Sequence, residues 1–119
     1  EYSQRLRDRT RNALAGAPGQ STGRTLYEAA LAGGARSMRQ PVGAIAPGLR
    51  CDIAVLDAEH PLLAGRTEDA ALDTWIFSGG NALVKDVFVA GQQVVKDRHH
   101  IHEDKIARNF RAALRRLAT

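Results

Sequence analysis

Three histidines lie close together near the end of the chain, at His99, His100 and His102. On an extended strand, the spacing of His100 and His102 would place two imidazoles on one side, because side chains alternate between the two faces. Imidazole is a preferred zinc ligand, and a catalytic zinc uses three protein ligands and one open position. No carboxylate or further histidine is clearly paired with the cluster, although the chain also contains His60, Asp97, Glu103 and Asp104. We therefore interpret the three histidines as part of a solvated polar turn.

The other residues that could do chemistry occur singly. His60 precedes Pro61 after a predicted strand, as loop residues do, and no partner is placed to make it a general base. Asp52 and Asp57 are five residues apart across that strand, so they point to opposite faces, and capping or turn roles are expected. Cys51 has no neighbouring base to activate it as a nucleophile. We predict no catalytic, cofactor-binding or metal-binding residue in this chain.

The composition is that of ordinary globular material, with 119 residues of which 44% are hydrophobic and 25% charged. The net charge of +4 does not indicate nucleic-acid binding, because the arginines are interspersed with acids and few aromatics could stack bases. No apolar run approaches the roughly 18 residues of a membrane span. The start at Glu1 shows no signal-peptide pattern and no Met, which fits a fragment or a processed chain. The single Cys51 favours a reducing cytoplasm.

Hydrophobic periodicity and breakers predict four helices and three strands. The helices are expected at Glu1–Leu14, from a Ser21 or Thr22 cap through Gly33, from a Thr67 cap through Trp75, and at Glu103–Leu117; the strands at Asp52–Leu56, Leu83–Val89 and Gln92–Lys96. Breaks are expected at Ala15–Gly19, Pro41 and Gly79-Gly80, with a polar turn at Asp97–His102.

Two of these elements carry further expectations about packing. The near-continuous apolar run of Asp52–Leu56 predicts a strand buried on both faces. Gly33-Gly34 would let the second helix lie close to a neighbouring backbone. Neither this pair nor Gly79-Gly80 has the spacing of a phosphate-binding loop.

The last helix has the clearest amphipathic pattern, with one apolar stripe and an arginine-bearing face. The stripe consists of Ile106, Phe110, Ala113, Leu114 and Leu117, and the other face carries Arg108, Arg111 and Arg115. Three short strands and an arginine-rich first helix cover too little apolar surface to form a good independent domain. The residues alone thus indicate a fragment of α/β class.

Several stretches together resemble the amidohydrolase superfamily. The segments concerned are Ala29–Ala35, Gly43–Gly48, Cys51–Asp57 and the hairpin Val87–Val95. Glu1–Arg9, Leu72–Gly80 and the arginine-bearing terminal helix are similar to the formimidoylglutamate deiminases within that superfamily. The sequence departs from the common pattern at Met38-Arg39-Gln40 and at Asp97-Arg98, and both departures concern turns.

The resemblance implies an α/β fold in which this chain is the C-terminal part of a metal-dependent amidohydrolase. Residues 1–40 would be the terminal helices of a (β/α)8 barrel. Residues 41–100 would be the strands and short helix of a small composite β-domain and its connection, and residues 101–119 a C-terminal amphipathic helix.

The resemblance also implies the hydrolysis of N-formimidoyl-L-glutamate to N-formyl-L-glutamate and ammonia, a step of histidine degradation. A bound zinc, or another divalent metal, would activate the water. The metal ligands of the family are a His-x-His pair, two further histidines and an aspartate on barrel strands. All of these would precede Glu1, so His100-Ile101-His102 is not that pair. The segment itself is expected to be inactive and to bind no metal.

The partners that the resemblance implies are the N-terminal barrel portion of the same protein, a small-molecule substrate in the parent, and a second copy in a homodimer. No nucleic acid and no membrane are expected as partners, and the compartment would be the cytoplasm. Two alternatives stay open. The parent could be another deaminase of the superfamily, acting on a purine or a triazine, or the chain could be a free-standing, non-enzymatic interaction module that uses the Ile106–Leu117 stripe.

Overall fold

The computed structural model describes residues 2–17 and 19–118. Three residues lie outside the described part: Glu1, Pro18 and Thr119. Glu1 belongs to the predicted first helix, Pro18 to the predicted Ala15–Gly19 break, and Thr119 to the predicted 101–119 segment. The described residues form four α-helices and four strands in the order α1, α2, β1, α3, β2, β3, β4, α4. Their bounds are α1 Tyr2–Asp8, α2 Thr22–Met38, β1 Ile53–Leu56, α3 Glu68–Thr74, β2 Val84–Val89, β3 Gln92–Lys96, β4 His99–His100 and α4 Glu103–Leu117.

The first helix is shorter than the predicted Glu1–Leu14. It ends at Asp8, and the next residue, Arg9, has a left-handed backbone with φ of 51°. Asn12 is left-handed as well, with φ of 52°, so the chain cannot continue as a right-handed helix. No residue of α1 is buried, which agrees with the small number of apolar positions in this stretch.

The second helix begins where its predicted cap lies, and a carboxylate from α3 holds this end. Ser21 Oγ accepts a hydrogen bond from the backbone N–H of Arg24 at 2.9 Å, as an N-cap does. Asp73 Oδ1 accepts from Ser21 Oγ at 2.8 Å and from the Gly23 N–H at 2.7 Å. A Cβ atom at Gly23 would overlap Asp73, so the close approach of α2 and α3 requires glycine there.

Further contacts between α2 and α3 extend from the same end. Arg24 forms an ion pair with Asp69 and a longer one with Glu28, at 3.4 Å. Hydrogen bonds of the guanidinium, first to Asp69 and then to Glu28, raise the pKa of Arg24 above its ordinary value. One turn further along α2, the rings of Tyr27 and Trp75 meet edge to face with centroids 5.5 Å apart, a favoured aromatic geometry.

The packing expected of the glycine pair in α2 is not seen among the described residues. A Cβ atom on Gly33 or Gly34 would meet no heavy atom within 4 Å, so no described element packs on the side that a Cβ would occupy. The close approach predicted for this pair is therefore wrong for the part of the chain that the structure describes. The helix ends at Met38, before the predicted stop at Pro41, because Arg39 turns left-handed with φ of 50°.

The third helix agrees in outline with the prediction and differs at both ends. Thr67 precedes it with an extended backbone, but its side chain makes no capping hydrogen bond. Glu68 and Asp69 occupy the first turn, where the helix dipole favours negative charge. Beyond Thr74 the chain continues through a wider π-helical turn, Trp75–Gly79, and then a tighter 3₁₀ turn, Gly80–Leu83.

The strands form one antiparallel sheet in the order β1-β2-β3-β4. Strand β1 pairs with β2 from Ile53 opposite Phe88 to Leu56 opposite Val84. The predicted hairpin between β2 and β3 is confirmed, and β3 has the predicted bounds. Ala90 and Gly91 connect the two strands with φ of 50° and 79°, the conformation that suits a two-residue hairpin turn.

The fourth strand corrects the predicted polar turn at Asp97–His102 and the three-stranded sheet. His99–His100 pairs with β3, with His100 opposite Val95. Asp97 and Arg98 form a second hairpin turn, with φ of 48° and 66°. Asp86 Oδ1 accepts from the Asp97 N–H at 2.9 Å, and Arg98 forms an ion pair with Asp57, so side chains stabilise a turn that lacks glycine.

Strand β1 is not buried on both faces, as its apolar run had predicted. It lies at the edge of the sheet, and Ala54 and Val55 are exposed. Leu63 and Leu83 are the buried large apolar residues among those described, and of the two only Leu83 is fully buried. The hydrophobic core within this chain is therefore very small, and no helix of the described residues has the length and apolar content that crossing a membrane requires.

We expect the Asp73→Ala substitution to lower the free energy of unfolding by about 1–3 kcal/mol, because two part-buried donors of α2 lose their acceptor. The matched control is Asp69→Ala in the same helix, whose partner Arg24 is solvent-exposed, and it should cost clearly less than Asp73→Ala. Denaturant unfolding of the full-length parent that the resemblance implies measures both losses. Equal losses for the two variants would contradict this account of the contact between α2 and α3.

Candidate functional site

The histidine cluster lies where the sheet ends and α4 begins. His100 closes β4, and His102 is the residue immediately before α4. Their rings are 5.7 Å apart between centroids and inclined by 65°. The backbone N–H of His102 donates to His100 Nδ1 at 3.1 Å. Because that nitrogen accepts a hydrogen bond, the ring proton of neutral His100 belongs on Nε2.

The two carboxylates that begin α4 complete the cluster. His99 Nδ1 lies 3.4 Å from Glu103 Oε2, and His99 Nε2 lies 3.8 Å from Asp104 Oδ2. Glu103 Oε2 also accepts from the backbone N–H of His100 at 3.2 Å. The helix dipole favours negative charge in the first turn, which suits both carboxylates. Their contacts with His99 and His100 join the end of the sheet to the start of the helix. The side chains of His99, Glu103 and Asp104 are all exposed.

The chemistry of this cluster does not fit a catalytic metal. A zinc ion that activates water requires three protein ligands together and an open position. Within residues 2–17 and 19–118, no three His, Cys, Asp or Glu side chains are grouped so that they could hold a metal ion. The structure thus gives His100 and His102 local hydrogen-bonding roles at a strand end and a helix start. That no residue of this chain is catalytic stays a prediction.

His60 and the two aspartates that flank β1 take part in turns. His60 Nδ1 accepts from the Leu62 N–H at 3.2 Å within its own loop. Asp57 accepts from the Glu59 N–H at 3.2 Å and forms an ion pair with Arg98. These contacts are the turn role expected of Asp57, in which a carboxylate bonds its own backbone two residues on.

Asp52 and Cys51 support the β2–β3 hairpin from the start of β1. Asp52 Oδ1 accepts from the Ala90 N–H at 2.7 Å and lies 3.1 Å from Arg50 Nε. The Cys51 carbonyl accepts from the Gly91 N–H at 2.9 Å, while the residue itself is exposed. Asp52 and Asp57 therefore contact different turns and do not form a shared carboxylate pair.

An apolar groove of about 480 Å³ lies between α2 and the segment that leads into β1. Its walls are mainly apolar and include Leu31, Met38, Val42, Ile45 and Ile53. Tyr27 and Asp52 are the polar exceptions, and the Asp52 carboxylate is already bonded to the hairpin. The groove offers no paired acid and base, so its composition suits packing against another apolar surface.

Sequence reasoning missed three side chains that hold the elements together. Asp73 and Asp69 reach α2 across 52 and 45 residues of chain, and Arg98 reaches Asp57 across 41. Neither helical spacing nor turn composition indicates contacts over such separations. A weak signal was present for Arg98, because it occupies a turn position where Asp-Gly is common.

The comparisons with known proteins concern nearly the whole chain. No protein-family model matches it. The chain is 52% identical over 110 residues to formimidoylglutamate deiminase of Pseudomonas aeruginosa, and the alignment covers 92% of this chain and 24% of that protein. The crystal structure of an amidohydrolase from Brucella melitensis covers all of this chain with a TM-score of 0.80 and 35% identity, and the matched part is 26% of that protein.

The chain thus spans about a quarter of the length of each of these relatives. Helices combined with an antiparallel sheet, together with the structural match, confirm the α/β fold class of an amidohydrolase portion. The resemblance drawn from the sequence is confirmed, because this chain is similar over nearly its whole length to a part of formimidoylglutamate deiminase and, in fold, to a part of an amidohydrolase.

Proposed function

We propose that this chain is the C-terminal structural portion of a metal-dependent deiminase that hydrolyses N-formimidoyl-L-glutamate to N-formyl-L-glutamate and ammonia. The observation that carries the proposal is the 52% identity over 110 residues with formimidoylglutamate deiminase. A 35% identical amidohydrolase structure that covers the whole chain supports the same reaction class. The reaction would be hydrolysis of a C–N bond in an amidine, as a step of histidine degradation.

The residues of this chain would support the reaction without touching the substrate. The described histidines and carboxylates do not form a ligand set for zinc or another divalent metal, so we derive no catalytic step from them. The metal, the activated water and the substrate would be held by the N-terminal barrel portion of the same protein. This segment would contribute barrel helices α1 and α2 and the strands of the small β-domain.

The surfaces that this chain leaves uncovered support its role as part of a larger protein. The α2 groove is apolar, and Met38 and Ile45 on its walls are exposed. Strand β1 has Val55 exposed and one edge without a described partner strand. Monomeric proteins rarely expose apolar surface of this kind in contiguous patches, so the N-terminal portion of the parent is the proposed cover.

We also propose that the parent is a cytoplasmic homodimer.

The full-length parent is expected to release ammonia from N-formimidoyl-L-glutamate and not from guanine. The reason is that the similarity lies with a deiminase of the first substrate rather than with a purine or triazine deaminase. Coupled ammonia assays on both substrates measure this directly. Incubation with a chelator should abolish the activity and added zinc should restore it, because the attacking water depends on the metal. Faster turnover of guanine would contradict the proposed substrate.

The isolated segment is expected to be inactive and to retain no stoichiometric zinc, because no three described ligands are grouped. Metal analysis of the purified 119-residue chain checks this. His100→Ala is the informative variant, and His60→Ala, a loop histidine bonded within its own turn, is the matched control. One zinc per chain that is lost with His100→Ala and kept with His60→Ala would overturn the assignment of a structural role to the cluster.

A further inference from the structure

The apolar stripe of α4 is uncovered along the whole helix. Ile106, Phe110, Leu114 and Leu117 repeat at helical spacing and are 57%, 62%, 48% and 83% exposed. On a helical projection, Arg108, Ala112 and Arg115 fall on the opposite side. A surface helix of a globular protein buries one such stripe against a core and leaves its charged side in solvent. The two faces of α4 are therefore those of a helix that lies on a larger body.

The helix has local stabilisation at its ends but little along its length. Glu103 and Asp104 stand in the first turn and Arg115 and Arg116 in the last, which suits the helix dipole. A helix of its 15 residues is nevertheless marginal in water by itself, because nucleation is costly and packing supplies most of the stability. No residue of α4 is buried among the described residues. A covering surface is thus needed to hold the helix in place.

The area that α4 offers argues against a second copy of the helix as that cover. The four large side chains together present on the order of 500 Å² per copy, given that even an aromatic side chain buries only about 150–250 Å². Pairing two copies would bury about 1,000 Å² in all, below the roughly 1,200–2,000 Å² of stable, specific interfaces. The same area suffices when both surfaces belong to one polypeptide, because the effective concentration of a tethered partner is high.

The lengths of the relatives indicate where a tethered partner surface for α4 could come from. The matched segment is 24% of the deiminase and 26% of the amidohydrolase, so most of each polypeptide lies outside it. We propose that α4 docks its Ile106–Leu117 stripe onto an apolar surface of the remaining polypeptide of the parent and keeps the Arg108 and Arg115 side in solvent. The inference rests on the proposed function only in taking the chain as a segment of a longer protein.

The connection between β4 and α4 limits where this docking surface can lie. Only Ile101 and His102 separate the strand from the helix, and the Glu103 carboxylate bonds back to the His100 N–H. Ile101 is 57% exposed beside the start of the stripe and extends the apolar surface towards the sheet. The proposed cover therefore lies directly beside the β4 edge of the sheet, within reach of both Ile101 and the stripe.

Amide hydrogen exchange of α4 in the full-length parent tests the proposal, with Phe110→Asp as the variant and Ala112→Asp as its matched control on the opposite face. In the wild-type protein and in Ala112→Asp, amides of residues 106–114 should exchange at least about tenfold more slowly than in Phe110→Asp. This protection should not change on dilution. Phe110→Asp should also lower the melting temperature, while Ala112→Asp should leave it nearly unchanged.

Three outcomes would overturn the proposal. Wild-type α4 amides that exchange as fast as those of an open turn would show that the stripe is uncovered. Protection that is lost when dilution separates the subunits would identify a second copy as the cover. Protection that requires anionic vesicles would identify a lipid surface, which amphipathic helices with basic faces also bind. If Phe110→Asp does not fold, the milder Leu114→Ala replaces it, and the wild-type exchange alone still decides between docked and uncovered. The deiminase assignment is tested separately, by the ammonia assay, so its failure would be distinguishable from a failure of the docking proposal.

Discussion

The scarcity of buried apolar surface constrains everything else in this structure. Among the described residues, Leu63 and Leu83 are the buried large apolar side chains, while large apolar residues of α2, β1 and α4 stay exposed. The hydrophobic effect scales with apolar area removed from water, so this chain gains little from its own core. What holds its elements in register is a set of polar contacts: Asp73 with the start of α2, Asp52 with the β2–β3 hairpin and Arg98 with Asp57. Such contacts give direction and add modest stability, which suits a segment whose apolar faces are covered by other parts of a protein.

Most of the candidate site residues use their polar atoms in local structural contacts. Asp52, Asp57 and His60 use their polar atoms to close turns, and His100 accepts from the backbone of His102. A metal ligand or a general base needs its lone pairs directed into a shared, partly enclosed space. In this chain the same atoms are directed to neighbouring backbone groups. The similarity to a deiminase and the structural roles of these residues are therefore compatible, because the relatives are about four times as long as the matched segment.

Local patterns predicted the elements well where the chemistry is local. The Ser21 cap, the hairpin at Ala90-Gly91 and the helix Glu103–Leu117 follow from capping, turn and amphipathic signals, and all three are present. The errors arose where long-range contacts decide. Strand β4 forms because Asp86 and Asp57 stabilise the Asp97-Arg98 turn, and no pattern within that turn shows this. The apolar run of β1 and the glycine pair Gly33-Gly34 each predicted a packing partner. No such partner is among the described residues. The candidate site was judged from spacing alone, and only the structure shows which backbone groups each side chain binds.

The central claim is that this chain is a structural part of a larger enzyme and is incomplete without the remainder. Thermal unfolding of the isolated 119-residue chain, followed by near-ultraviolet circular dichroism and by its oligomeric state, tests that claim most directly. With so little buried apolar area, we expect weak or absent fixed tertiary signal, no cooperative transition, and aggregation of the exposed faces. A soluble monomer with a sharp, cooperative melting transition would contradict the claim and would favour a free-standing interaction module.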